Sequence, residues 1–210
     1  MVKLRRTAAL LAAVLLFAGC SAPVRQDSGE VSGSVLPEAV GSMELKYAEQ
    51  FSVDYLADGS ALAEVADGRR YLILPEGGEA PEQLPEDITV ISQPENIYLA
   101  SSSAMDLFIS LDGVDRIFAT STQESGWKLP EIAQAMADED ILYAGKYSAP
   151  DIELLMSEGC DLAIENMMIY HSPKTAEQIE KCGIPVLIER SSSESHPLGR
   201  LEWIRLYGLI

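Results

Sequence analysis

From residue 51 the chain alternates apolar and polar positions with period two over 51–55, 62–65 and 71–74. Between these runs stand Asp58-Gly59 and Asp67-Gly68. Asp-Gly supplies the positive φ angles that a tight hairpin turn demands, so the pattern predicts a small antiparallel β-meander. An acidic Gly- and Pro-rich stretch at 76–86 reads as a loop. Short apolar runs then recur at 88–91, 97–100, 116–119, 141–144, 161–165 and 185–189, each predicted as a strand. The segments between them change to helical spacing. Ala104, Leu107, Phe108 and Leu111 form one apolar face behind a Ser103 cap. Pro130 opens a helix carrying Ile132, Ala135 and Met136. Ser148-Ala149-Pro150-Asp151 leads into Ile152, Leu155 and Met156, and Ser172-Pro173 starts a helix that Gly183 ends. Strands alternating with helices of about ten residues imply parallel βαβ units. The expected fold is therefore α/β: a doubly wound, mostly parallel sheet with an N-terminal antiparallel meander.

The ends of the chain follow other patterns. Lys3, Arg5 and Arg6 precede an apolar run at 7–17, then Ala18-Gly19 and Cys20. The run is shorter than the roughly 20 residues a spanning helix needs, so residues 1–19 read as a cleaved signal peptide. Leu16-Phe17-Ala18-Gly19-Cys20 resembles a bacterial lipobox with Phe17 in place of the usual Leu. That resemblance implies that Cys20 takes a lipid and becomes the new N-terminus. Residues 21–42 hold five Ser, three Gly and two Pro without a hydrophobic period. A flexible tether is expected over 20–48, carrying a lobe at 49–195 away from the membrane. At the other end, Ser195 or His196 caps a helix with Pro197 at its first position. Leu198, Leu201, Ile204 and Tyr207 lie at helical spacing, and the sequence stops inside this segment (196–210). The chain is expected to be the front part of a longer protein.

Charge narrows the range of partners. The formal net charge is −18, and loss of residues 1–19, with three positive and no negative side chains, takes it to −21. A chain this acidic is a poor match for nucleic acid or anionic lipid, which are recognised by clustered Lys and Arg. Beyond Cys20 there are only Cys160 and Cys182, each just before a predicted strand; a bond between them and two free thiols both fit that placement.

No nucleotide-binding glycine motif, zinc-helix motif or nucleophile elbow occurs, and neither His171 nor His196 has a metal-ligand partner at suitable spacing. No catalytic residue, no metal site and no resident cofactor is expected. In open parallel sheets ligands sit outside the carboxyl ends of the strands. The loops there carry Ser101, Ser102, Ser103, Trp127, Lys146, Tyr147, Asn166, Tyr170, His171 and Arg190, which are the candidate ligand-binding residues. Amides at the helix start after Ser102 are candidate donors to an anionic group. Glu153 lies off the apolar face of its helix and points to solvent.

Two stretches carry a family resemblance. Pro150-Asp151-Ile152-Glu153-Leu154-Leu155 leading to Cys160-Asp161-Leu162-Ala163-Ile164-Glu165 is similar to a stretch of the substrate-binding proteins that deliver ferric siderophores, haem or cobalamin to ABC importers. Ser195-His196-Pro197-Leu198-Gly199-Arg200-Leu201-Glu202-Trp203-Ile204 resembles the start of that family's long interlobe helix. The resemblance spans about residues 45–210. It implies two lobes joined by a rigid helix, ligand held between them, no enzymatic activity, and a lipid-anchored location on the outer face of the cytoplasmic membrane. It also implies that Glu153 docks onto Arg residues of a permease. The family's second lobe has no counterpart in this sequence. Two other readings stand beside it: a surface sensor or adhesion lipoprotein, and an α/β surface hydrolase using Ser101–Ser103 or His171.

Overall fold

The computed structural model describes residues 36–210, so the expected signal peptide, Cys20 and most of the expected tether lie outside the described residues. The meander forms as its turns require. β1 (Ala39–Ser42), β2 (Phe51–Leu56), β3 (Ala61–Val65) and β4 (Arg70–Leu74) pair antiparallel in chain order. Gly59 and Gly68 sit at φ +87° and +88°, and the carboxylates of Asp58 and Asp67 accept from the amides of Ser60 and Arg69. β5 (Ile88–Ser92) adds to the far edge, parallel to β4.

Two expectations change here. Residues 88–91, expected in the parallel α/β sheet, belong to the meander sheet: the 75–87 loop lets the chain return beside β4, and Ile91 reaches the same core as Ile73. The expected tether at 20–48 includes ordered chain. β1 pairs with β2, and Met43 is buried against the core, because the 46–50 amides find acceptors far along the sequence.

The second sheet is wholly parallel. It contains β6 (Ile97–Leu99), β7 (Ile117–Thr120), β8 (Leu142–Tyr143), β11 (Leu162–Asn166) and β12 (Val186–Glu189), in the order β12-β11-β6-β7-β8. A two-residue hairpin, β9 (Gly145–Lys146) and β10 (Ala149–Pro150), follows β8. The helices are α1 (Met105–Ser110), α2 (Pro130–Ala137), α3 (Ile152–Ser157), α4 (Pro173–Lys181), α5 (Pro197–Glu202) and α6 (Ile204–Tyr207). No helix among the described residues is long and apolar enough to cross a membrane. The doubly wound α/β fold with its antiparallel N-terminal sheet is thus the observed one.

The two faces of each strand serve two cores. Ile97, Leu99, Leu162, Ile164 and Leu187 face the meander sheet, α1, α2 and the α5–α6 segment. Tyr98, Ala163, Val186 and Ile188 face Leu155 of α3 and Ile179 of α4. Such burial on both faces is what continuous apolar strands demand. Tyr71 of β4 joins the sheets. Its hydroxyl donates to the Val186 carbonyl at 3.1 Å and accepts from the Ile188 amide at 3.3 Å, satisfying the outer edge of β12. Tyr71→Phe should lower stability by about 1–2 kcal/mol, because both β12 groups stay buried and lose their partner. A shift of the urea midpoint without a change in slope is the result to look for.

The C-terminal segment is not one helix. α5 and α6 break at Trp203, and the buried stripe is Gly199, Trp203, Leu206, Tyr207 and Ile210. Leu198 and Leu201, which lie at helical spacing with Ile204 and Tyr207, are exposed. The indole of Trp203 outweighs them by filling the core beside Phe51 and Tyr207. Cys160 and Cys182 are both free thiols.

Candidate functional site

Strand order locates the site. The chain enters the parallel sheet at β6, moves outward to β7 and β8, then crosses back to β11 on the opposite side of β6. Connections therefore diverge between β6 and β11, which opens a crevice at their carboxyl ends. A cleft of about 280 Å³ lies there, lined by Ser101, Ser102 and Ser103 after β6, Asn166, Met167 and Met168 after β11, and Ser192 after β12.

Beneath the cleft is a carboxylate that sequence reasoning missed. Glu189 ends β12 and is buried. One of its oxygens accepts from Ser101 Oγ at 2.7 Å and Ser103 Oγ at 3.0 Å, and the other accepts from the Ser191 amide at 2.7 Å. A buried carboxylate with three donors is satisfied in place, whereas an unpartnered one carries a large desolvation cost. This network overturns one expectation. Ser103 does not cap α1, whose N-cap is Ala104 without a side-chain bond, because its hydroxyl is drawn to Glu189. The exposed residues lining the cleft are Ser102, Ser103, Met168 and Ser192.

The other candidate residues divide by position. Asn166 lines the cleft, but its side chain is used locally: Oδ1 accepts from the Met168 amide at 2.8 Å and Nδ2 donates to the Ala100 carbonyl at 3.4 Å. Tyr170 and Arg190 stand beside the cleft and tie it to the meander. The Tyr170 hydroxyl donates to Asp67, while Arg190 donates to Tyr170 Oη at 3.3 Å and to Gln50 Oε1 at 3.1 Å. His171 is exposed at the end of the same loop. Lys146 is exposed on the β9–β10 hairpin, and the half-buried Tyr147 packs toward α3 and α4; neither lines the cleft. Trp127 is placed differently from expectation. It is 9 % exposed and packs into the main core, since the turn after β7 folds its indole inward beneath α2. Glu153 stands exposed in the first turn of α3, which Asp151 caps through the Leu154 amide at 3.0 Å.

A second buried carboxyl, Glu165, is the last residue but one of β11 and lies on the opposite face from Glu189. Neither oxygen has a hydrogen-bond partner, and burial pushes the group up to about 8. Both glutamates are visible in the sequence as an acid closing an apolar run, Leu162-Ala163-Ile164-Glu165 and Val186-Leu187-Ile188-Glu189. Among the described residues no three His, Cys, Asp or Glu side chains gather as a metal-ligand set.

Fold and cleft together define a doubly wound α/β lobe with a polar crevice at its topological switch point. No family model matches the chain, and no curated protein matches it. Solved structures do show similarity. The petrobactin-binding protein YclQ from Bacillus subtilis shares 14 % identity, with a TM-score of 0.45 over 69 % of this chain and 44 % of that one. The periplasmic haem-binding protein HutB of Vibrio cholerae shares 17 %, with a TM-score of 0.41 over 55 % of this chain and 41 % of that one. The periplasmic catecholate-siderophore binding protein VctP from Vibrio cholerae shares 15 %, with a TM-score of 0.42 over 56 % and 40 % respectively. This chain thus spans about two fifths of the length of those proteins. At TM-scores below 0.5, these likenesses carry no argument about what the cleft holds.

Proposed function

We propose that this chain is the binding lobe of a lipid-anchored extracytoplasmic protein that hands an iron chelate, haem or cobalamin to an ABC importer. The observation that carries the reading is the cleft itself: open, at the switch point, and built to hold rather than to react. The hydroxyls of Ser101, which is buried, and Ser103, which is exposed, are both given to the buried Glu189. His196, one of the two histidines, stacks on Tyr47 at 4.5 Å and caps α5, far from acting as a base for those serines. A serine hydrolase needs its hydroxyl hydrogen-bonded to a general base and aimed at the substrate. The lipobox-like junction at Cys20 and the two resembling stretches supply the remaining support.

Titration calorimetry on the full chain, offering a ferric catecholate, a ferric hydroxamate, haem and cobalamin, tests the ligand class. Saturable binding of one of them is expected, weakened by Ser102→Trp, which fills the crevice. Four flat titrations would overturn the class and favour the sensor reading; ester hydrolysis abolished by His171→Ala would favour the enzyme. For the partner, Glu153→Ala should leave thermal stability unchanged while reducing capture by permease in nanodiscs, because the side chain is exposed. Undiminished capture removes Glu153 from the mechanism.

A further inference from the structure

Glu165 is the one side chain among the described residues with both carboxyl oxygens buried and unpartnered. The Asn166 amide is the one group that favours the carboxylate, and burial outweighs it. Across the sheet from β6, Tyr98 presents a hydroxyl that is also buried without a partner. Cys160 and Tyr143 face that hydroxyl in turn. From β12 the neighbour is Ile188, and α3 and α4 contribute Leu155, Ala176 and Ile179, with half-buried Tyr147 at the margin. The ion pairs among the described residues all involve Arg69, Arg70 or Lys181, none of which is paired with Glu165. In this layer the neutral acid is tolerable, and the carboxylate is not.

What lies next to Glu165 gives this burial a consequence. The following residues, Asn166, Met167 and Met168, line the cleft. Their loop is a five-residue 3-10 turn, Met167–His171, with one side chain, Ile169, buried in the second core; its other ties are the Asn166 cap on Met168, the Ser193 hydroxyl on Met167 sulfur, and Tyr170 between Asp67 and Arg190. Such a segment can open locally at much less cost than the sheet it adjoins.

We propose that Glu165 makes the 166–171 loop a proton-responsive wall of the cleft, seated while the carboxyl is protonated and released when the carboxylate must reach water. The direction follows from burial. The folded-state value is raised from 4.5 to about 8, so the seated state is fully favoured below the ordinary carboxylate range and loses its advantage as pH rises toward about 8. The proposal stands independently of which ligand the cleft takes.

Hydrogen exchange on the full chain between pH 5 and 9, corrected for intrinsic base catalysis, tests it. Amides of Met167–His171 should gain exchange with pH, by up to about tenfold per pH unit while the proton is being lost. The amides of β11 and β12 should hold steady. Glu165→Gln, neutral at every pH, should flatten the loop's profile. A carbon-13 titration of the Glu165 side-chain carboxyl in the unmodified protein needs no variant, and its midpoint should lie well above that of exposed glutamates. An ordinary midpoint, an identical profile in Glu165→Gln, or a rise shared equally by β11 and β12 would each overturn the proposal.

Discussion

Glu194→Ala is expected to lower stability by about 3–5 kcal/mol, the largest effect of any single substitution considered for this lobe. Glu194 is 5 % exposed and accepts three hydrogen bonds: from the Glu49 amide at 2.7 Å, the Gln50 amide at 3.1 Å, and Trp203 Nε1 at 2.9 Å. The indole is fully buried, so its donor would have no water to turn to. The two amides are partly buried and would recover some hydration. Each orphaned donor costs about 1–3 kcal/mol, and the relief from no longer burying a carboxylate offsets part of the sum. Nearby, Glu202 accepts from the amides of Lys46, Tyr47 and Ala48, at 3.0, 2.8 and 2.7 Å. Five consecutive amides entering the meander are thus held by two acids from the end of the chain. For a domain of this size the loss should appear as a fall of about 10 °C in Tm. Glu194→Gln keeps one accepting oxygen and should fall between. A change under about 1 kcal/mol for the alanine variant would show that the 46–50 segment is not anchored there.

Gly199→Ala tests the same junction by volume, and there the sign itself is at stake. In an ordinary helix the change stabilises by about 0.5–1 kcal/mol. At Gly199 of α5, an added Cβ would lie 2.8 Å from the Tyr47 carbonyl oxygen, 3.1 Å from its carbon, and 3.2 Å from Glu194 Oε2. The obstacle is backbone and cannot swing aside. The Tyr47 amide is bound to Glu202 and its ring is stacked on His196. Overpacking of this kind costs about 1–3 kcal/mol, so a net loss of about 2 kcal/mol is expected. Because both substitutions part the same contact, the Glu194→Ala/Gly199→Ala double variant should lose less than the sum of the two. A stabilised Gly199→Ala would mean that the close approach of α5 to residue 47 does not occur in solution.

How far the sequence was legible depended on the range of the interaction. Asp-Gly turns, period-two runs and Pro-initiated helices are set by neighbours a few residues apart. They located the meander, the parallel strands and helices α2 to α4 close to their observed limits. The switch-point loops were legible too, because strand and helix alternation alone says where the carboxyl ends gather. Within those loops, roles were not. Loop position makes Trp127 a candidate ligand-binding residue, yet its indole is core, whereas Glu189, at the end of an apolar run, has nothing local to mark its role.

What the sequence by itself determined was the local menu: which segments extend, which coil, where they turn, and that the chain carries a large negative charge. Only the tertiary structure decided that β5 returns beside β4, that residues 39–50 are part of the lobe, and that Trp203 rather than Leu198 and Leu201 turns inward. It also decided that two acids of similar setting take opposite roles, Glu189 satisfied by three donors and Glu165 by none. Several of these outcomes depend on partners far along the chain, as with Ser101 and Glu189, 88 positions apart, or Lys46 and Glu202, 156 apart. A buried donor or acceptor is stable only where its complement arrives, and local periodicity holds no record of that arrival.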